Sequence, residues 1–402
     1  MNNATTVQHA EQQREKFSVV DMLAQASAET GLDDFGEEEF REALMRLVDS
    51  TNNDVILSTL GAAAFRSDVQ RILVNRLRFA DDLKRHPEIL EEDVSDPIVI
   101  LGLPRTGTTK LQRFMSADPD VQRLEYWRLL NPAPFPNTSA GAEDPRIEVA
   151  RQAIGMMAKL MPKWMDSHPT AAEEVDEDVF LQLFTFKCIV LYMFRPVPSY
   201  QDWMATQSLR GTYRYTKQLL QYLQWQDGGQ GGKCGGRPWI LKTPIHLGTT
   251  DLIVEQFPKA TLVFTHRDLH QVIPSHCRLM ESIRGLYSDT VDLHEIGRSC
   301  LGVFSTEMEK HLRLRDRMGS RLPILDIQYE QVRDDPIGVI REIYGRAGRN
   351  LTPQREQAML DWEKNHPQHY GGSYSYRLED YGLTHAAIDS AFSEYLRRFG
   401  AK

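Results

Sequence analysis

The chain has 402 residues, 41% of them hydrophobic and 26% charged, with a formal net charge of −9. That length can bury one large core or two ordinary ones, and the acidic balance excludes a general nucleic-acid or anionic-membrane surface while leaving room for a local basic pocket. No apolar run approaches the ~18 residues of a membrane-spanning helix. The polar start "MNNATTVQHAEQQREKF" lacks the apolar stretch of a secretory signal, so the cytoplasm is the expected location.

Residues 1–17 read as a disordered tail. From 18 to 95, apolar residues recur at three- and four-residue spacing, as in "FREALMRLV" and "DVQRILVNRLRFADDL", which predicts a helical N-terminal segment. Asp96-Pro97 closes it, because the residue before a proline is driven out of the helical region. The run from Ile98 to Leu101 then predicts the first strand, and "TKLQRFMSA" a helix. A proline-rich stretch over 128–145 predicts a long surface loop. Residues 146–223 predict a helical insert rich in aromatics, among them Trp164, Phe180 and Phe194. The glycine-rich "QDGGQGGKCGG" (226–236) reads as a flexible loop. Strand signals at 238–241, 260–265 and 322–327 are each followed by a helical pattern. This alternation predicts an α/β domain over 96–402, a three-layer core with a central parallel sheet flanked by helices. Cys188, Cys234, Cys277 and Cys300 form no CxxC pair, so they fit reduced thiols better than a disulfide frame or a zinc site.

The run "PIVILGLPRTGTTKLQ" (97–112) carries the chemistry. Gly102 and Gly107 bracket four residues as in a phosphate-binding P-loop, where backbone N–H groups and a helix N-terminus face an anion. The lysine of the G-x4-G-K-[ST] pattern is missing. Thr108 takes its place, and the fixed cation is Arg105, inside the loop. A guanidinium suits a tetrahedral oxyanion because its planar fork bonds two oxygens. The loop therefore reads as P-loop-like, with an unliganded tight turn as the bland alternative.

"PRTGTT" resembles the 5′-phosphosulfate loop of sulfotransferases that use 3′-phosphoadenosine 5′-phosphosulfate (PAPS). "FPKATLVFTHRDLHQVIPSHCRL" (257–279), a strand followed by Arg267 and, eight residues later, Ser275, resembles that family's 3′-phosphate motif. "RPWILKTPIHL" (237–247) is similar to its lysine-bearing strand end, and "LDIQYEQVRDDP" (325–336) to its strand with Tyr-Glu and Asp-Pro. "ETGLDDFGEEEFREAL" (29–44) and "YRLEDYGLT" (376–384) resemble the bacterial branch. The likeness covers most of the chain and is thinnest over 128–236.

The resemblance implies a metal-independent enzyme that moves a sulfuryl group from PAPS to a hydroxyl or amine of a small, apolar acceptor by in-line displacement. Such a step needs a cation at the transferring group, charge relief at the leaving oxygen and a base for the acceptor's proton. Arg105, Thr106, Gly107, Thr108 and Thr109 would hold the 5′-phosphate; Arg267 and Ser275 would hold the 3′-phosphate, with Tyr329 as a further donor contact. Lys242 would steady charge on the sulfuryl or bridging oxygen. For the base, His246 ranks first and Glu125 second. In the cytosolic branch the histidine comes two residues after the lysine, where this chain has Pro244, and alignment with the tyrosylprotein branch puts Tyr126 at the position of its glutamate. Glu174 is a third candidate, within "HPTAAEEVDED", an acidic run that reads as a solvated helix face. Part of the aromatic insert is expected to line the acceptor pocket, although such stripes are more often core. His266 and His270 lack the glutamate of HExxH, so no metal is expected. Partners are a small-molecule acceptor and no nucleic acid or membrane span; a homo-oligomer is compatible with the sequence. The rivals are a P-loop kinase or nucleotide hydrolase, with Asp326 as a magnesium carboxylate, and a non-catalytic binder on the same fold.

Overall fold

The computed structural model describes residues 16–136, 141–228, 236–288, 290–366 and 377–400. The expected disordered tail, except its last two residues, and most of the glycine-rich loop lie outside the described residues. Three helices open the chain: α1 (Val19–Thr30), α2 (Glu39–Asp54) and α3 (Thr59–Arg85). Ser18 and Ser58 cap α1 and α3 by accepting backbone N–H groups of Asp21 and Gly61, which satisfies donors a helix start would otherwise leave open.

Four strands follow the alternation seen in the sequence, each within two residues of its expected bounds: β1 (Ile98–Gly102), β2 (Ile240–Lys242), β3 (Thr261–His266) and β4 (Ile324–Gln328). They pair in the order β2-β1-β3-β4, all parallel, with Ile98 opposite both Ile240 and Thr261, and Leu262 opposite Ile324. Side chains alternate across a strand, and the core divides accordingly. Ile98 and Ile100 join Leu325, Leu111, Phe114 and Ile340 on one face of the sheet; Val99 and Leu101 join Leu262, Phe264, Val272 and Phe304 on the other. The sheet is thus buried on both faces, the condition for a parallel sheet wrapped by helices.

Between β1 and β2 run α4 (Thr108–Met115), α5 (Tyr126–Leu130), α6 (Pro145–Leu160), α7 (Pro162–Ser167), α8 (Val179–Gln182), α9 (Val190–Phe194), α10 (Pro198–Ala205) and α11 (Arg210–Gln226). The insert is therefore not continuously helical. Prolines at the first positions of α6, α7 and α10 start new helices, since proline needs no helical hydrogen-bond partner there. After β2 come a 3-10 turn (Pro244–Thr249) and α12 (Thr250–Gln256); α13 (Leu269–Tyr287) and α14 (Leu293–Met318) lie between β3 and β4. Five helices follow β4. The larger core cluster runs from Met22 in α1 to Tyr395 near the C-terminus, so the N-terminal helices and the sheet share one apolar interior.

Candidate active site

The turn after β1 is shaped by close contacts and by its backbone conformation. Gly102 has φ 138°, and a Cβ there would meet the Thr265 hydroxyl at 2.5 Å. Gly107, at φ 87°, begins α4, and a Cβ there would meet the Tyr329 ring at 3.0 Å. Both positions need glycine for conformation and for space. Arg105 adopts φ 69° without being glycine, a conformation that persists only where its surroundings hold it. They do so here. Its Nε donates to Ser275 Oγ at 3.0 Å, its Nη1 to the Ser167 carbonyl at 2.8 Å, and its own carbonyl accepts from Arg267 Nη1 at 2.7 Å. The Arg267 guanidinium lies 4.1 Å from the centre of the Tyr329 ring. Arg105, Arg267, Ser275 and Tyr329, drawn from three separate stretches, are thus one cluster beside the turn. Thr106 braces it from below, its hydroxyl 2.6 Å from the Leu103 carbonyl and 2.7 Å from the Thr265 hydroxyl. Thr108 is buried in the first turn of α4.

Lys242, at the C-terminal end of β2, is fully buried. Its ammonium reaches Thr109 Oγ1 at 3.3 Å and Glu177 Oε1 at 2.7 Å, and Thr243 Oγ1 donates to the other oxygen of Glu177 at 3.1 Å. A buried ammonium needs such a partner. The run expected as a solvated helix face is neither helical nor solvated where it matters. Three consecutive acids each take a different partner: Asp176 is 3.2 Å from His168 Nε2, Glu177 binds Lys242, and Asp178 is 2.7 Å from His246 Nε2. Partnership, not local propensity, decides its conformation. Burial pushes the Asp176 carboxyl up, but the neighbouring His168, then Lys242 and Arg113, outweigh it and hold the group well below the usual carboxylate range.

The family model for sulfotransferases matches residues 97–353, well over half of the chain and the whole stretch from the turn through β4. The chain belongs to the sulfotransferase family. It is 24% identical to the omega-hydroxy-beta-dihydromenaquinone-9 sulfotransferase Stf3 of Mycobacterium tuberculosis over 328 residues, 78% of this chain and 77% of that protein. The same figures hold for Stf3 of Mycobacterium bovis. Its structure resembles sulfotransferase STF9 from Mycobacterium avium, with a TM-score of 0.84 and 29% identity over 97% of this chain and 98% of that one. STF1 from Mycobacterium tuberculosis gives a TM-score of 0.81 and 28% identity over 95% and 100%.

In this sulfotransferase the remaining sequence candidates fall in different places. His246 is almost fully buried, with Nε2 against Asp178 and Nδ1 2.7 Å from the Tyr213 hydroxyl, so both ring nitrogens are engaged. Glu125 lines a separate groove with Ser116, Arg128 and Arg237, and burial raises its carboxyl pKa. Glu174 sits near Arg123, partly exposed. Asp326 is bound on the far face of β4 by His266, 2.9 Å away, and by Arg315 at 2.9 and 2.6 Å, which leaves it no role as a magnesium carboxylate at the turn. Among the described residues no group of three acids, histidines or cysteines could hold a metal ion.

A cavity of about 570 Å3 opens beside the Arg105–Arg267 cluster. Its wall is mostly apolar and comes from α2, α3, α5, α6, α7, α8, α9 and α13, with Leu129, Met157, Trp164, Phe186 and Tyr287 among its members. Part of the aromatic insert lines it, and so do the N-terminal helices, which the sequence alone did not connect with a pocket. His168 and Asp176 are also on this wall. Ser167, the neighbour of His168, carries the carbonyl that binds Arg105, so the cavity and the turn meet there. The sequence signal for His168, a histidine eight residues before an aspartate, was too weak to single out.

Proposed function

We propose that this sulfotransferase takes its sulfuryl group from PAPS and passes it to a hydroxyl on an apolar small molecule. The observation that carries the reading is the Arg105–Arg267–Ser275–Tyr329 cluster beside a P-loop-like turn: two guanidinium groups and a hydroxyl suit two separate phosphates of one nucleotide. The turn's backbone and α4 would receive the 5′-phosphate, and Arg267 with Ser275 the 3′-phosphate. Lys242, held close by Glu177, would shift to the oxygen that leaves sulfur, where positive charge is most effective. Stf3 is by name a sulfotransferase of omega-hydroxy-beta-dihydromenaquinone-9, a molecule that carries a hydroxyl, and the apolar cavity beside the turn supports a hydroxylated apolar acceptor here. Buried free thiols at Cys188, Cys277 and Cys300 support a reducing cytoplasm.

For the acceptor's proton we assign His168. It lines the cavity and adjoins Arg105, and Asp176 fixes its ring by accepting the Nε2 hydrogen, as a buried carboxylate does in a catalytic triad. That leaves Nδ1 as the proton acceptor. The oxygen of the alcohol then bonds to sulfur as the bond from sulfur to the phosphate oxygen breaks, releasing 3′,5′-diphosphoadenosine.

The test is thermal stabilisation without metal, followed by transfer from labelled PAPS to a panel of alcohols including hexadecan-1-ol. Stabilisation by 3′,5′-diphosphoadenosine and labelled sulfate esters are expected; stabilisation by ATP with magnesium alone would reject the reading.

A further inference from the structure

The apolar cavity contains one side chain that its surroundings do not explain. Arg195, just after α9, is 3% exposed and lines the cavity. Its guanidinium is stacked between two rings, 5.0 Å from the centre of Phe65 on α3 and 4.8 Å from that of Tyr287 on α13. Its Nε and Nη1 have no hydrogen-bond partner among the described residues. Other buried arginines of the molecule leave no more than their Nε without a partner among the described residues. Arg76 reaches the carbonyls of Phe184, Phe35 and Glu37, and Arg284 pairs with Glu295. Ring stacking offsets part of the cost of burying a guanidinium but satisfies none of its donors. Leaving a buried charge or donor without an acceptor costs a protein more than most single contacts contribute.

A second donor points the same way. Trp164 is buried in the same wall, and its Nε1 also lacks a partner among the described residues. Trp164 links the two polar parts of the cavity, with its ring 5.2 Å from His168 and 5.8 Å from Phe194, the residue before Arg195. Besides His168 and Asp176, the other charged groups facing this region are Asp68 and Arg71 on α3. They are 3.5 Å apart, and Arg71 also donates to the Leu130 carbonyl. The unmatched groups on this wall, Arg195 Nε and Nη1 and Trp164 Nε1, are therefore all donors, while its other charged side chains have partners of their own.

We propose that Arg195, with Trp164, forms a second recognition point for the acceptor: a subsite for a carbonyl or carboxylate oxygen, separate from the hydroxyl that receives the sulfuryl group. The inference rests on the reading of this cavity as the acceptor site. It narrows the substrate class from any apolar alcohol to an apolar molecule with a hydroxyl at one point and a C=O group within reach of Arg195. Specificity follows from the asymmetry of hydrogen bonding. An acceptor without that oxygen leaves the buried donors unmatched, and a site built around polar groups discriminates strongly against such analogues.

Binding can be measured without donor, by quenching of tryptophan fluorescence, for 16-hydroxyhexadecanoate, hexadecan-1-ol and hexadecane. The wild type should bind the hydroxy acid at least tenfold more tightly than the alcohol. Arg195→Met, which keeps the stem length and removes the donors, should erase that preference while changing the affinity for hexadecan-1-ol less than threefold. Arg195→Lys should retain part of the preference, and it serves if the methionine variant does not fold. A preference that survives in Arg195→Met, or a wild type that does not distinguish hydroxy acid from alcohol, overturns the subsite. Stabilisation by 3′,5′-diphosphoadenosine, run in parallel, reports on the donor reading alone.

Discussion

The side proposed for the donor and the side proposed for the acceptor in this sulfotransferase are built by different rules. The donor side is local. The turn between β1 and α4, Lys242 at the end of β2 and Arg267 at the end of β3 all follow directly from strands that end at one edge of a parallel sheet, where ligands of open α/β sheets gather. The acceptor side is assembled from eight helices, from α2 to α13, and no one stretch of sequence contains it. The lesson is that short-range motifs report the half of a site that the sheet organises, whereas the half that selects the substrate depends on distant helices meeting. The two halves touch at Ser167 and His168, and most ways of testing the comparison act at that seam.

The largest effect is expected there. His168→Ala should lower kcat by about 10²–10⁴-fold, the usual range for a positioned general base, with stabilisation by 3′,5′-diphosphoadenosine retained. The same change should remove the acid limb of the pH profile of kcat/KM for hexadecan-1-ol. If Glu177→Gln removes that limb and His168→Ala keeps it, the base belongs to the donor side and the division proposed here is wrong. Lys242→Ala should lower transfer from labelled PAPS by about 10²–10³-fold, in keeping with the loss of one transition-state cation. Unchanged turnover would refute its role.

A smaller effect should separate the halves by volume. Ala153→Phe fills the cavity from α6, so the KM for hexadecan-1-ol should rise roughly tenfold, within the range that apolar pockets discriminate. Affinity for 3′,5′-diphosphoadenosine should not change; an equal loss on both sides would show that the halves are one unit. The smallest concerns the sheet itself. Burial raises the Asp326 carboxyl, but His266 and Arg315 prevail and bring it down to about 2 from an ordinary 3.8. A depressed pKa means the ion pairs stabilise the fold fully above about pH 4, and that this stabilisation is lost as the pH falls towards 2. Asp326→Asn should therefore flatten the fall in Tm over that window, and a parallel curve would show that the carboxylate contributes nothing.

The strands were readable to within two residues because a doubly buried parallel sheet writes continuous apolar runs into the sequence. The glycine turn was readable because Gly102 and Gly107 meet a conformational demand that few residues can meet. The acidic run from Glu173 to Asp178 was not. By composition it belongs on a solvated face, and only the approach of His168, Lys242 and His246 turns three of its carboxylates inward. His246 shows the reverse case. Its place after Lys242 suggested chemistry, yet Asp178 and Tyr213 enclose it.

What the sequence by itself determined, then, was the α/β alternation, the glycine turn after β1 and the family. These rest on backbone conformation and on spacings a few residues long, which survive in one dimension. What only the tertiary structure decided was the company each polar group keeps: Glu177 with Lys242, Asp176 with His168 on the cavity wall, and Arg195 stacked between two rings with donors unmatched. A buried charge takes its meaning from its partners, and those partners can lie far away in the chain, as Lys242 and Thr109 do at a separation of 133 residues.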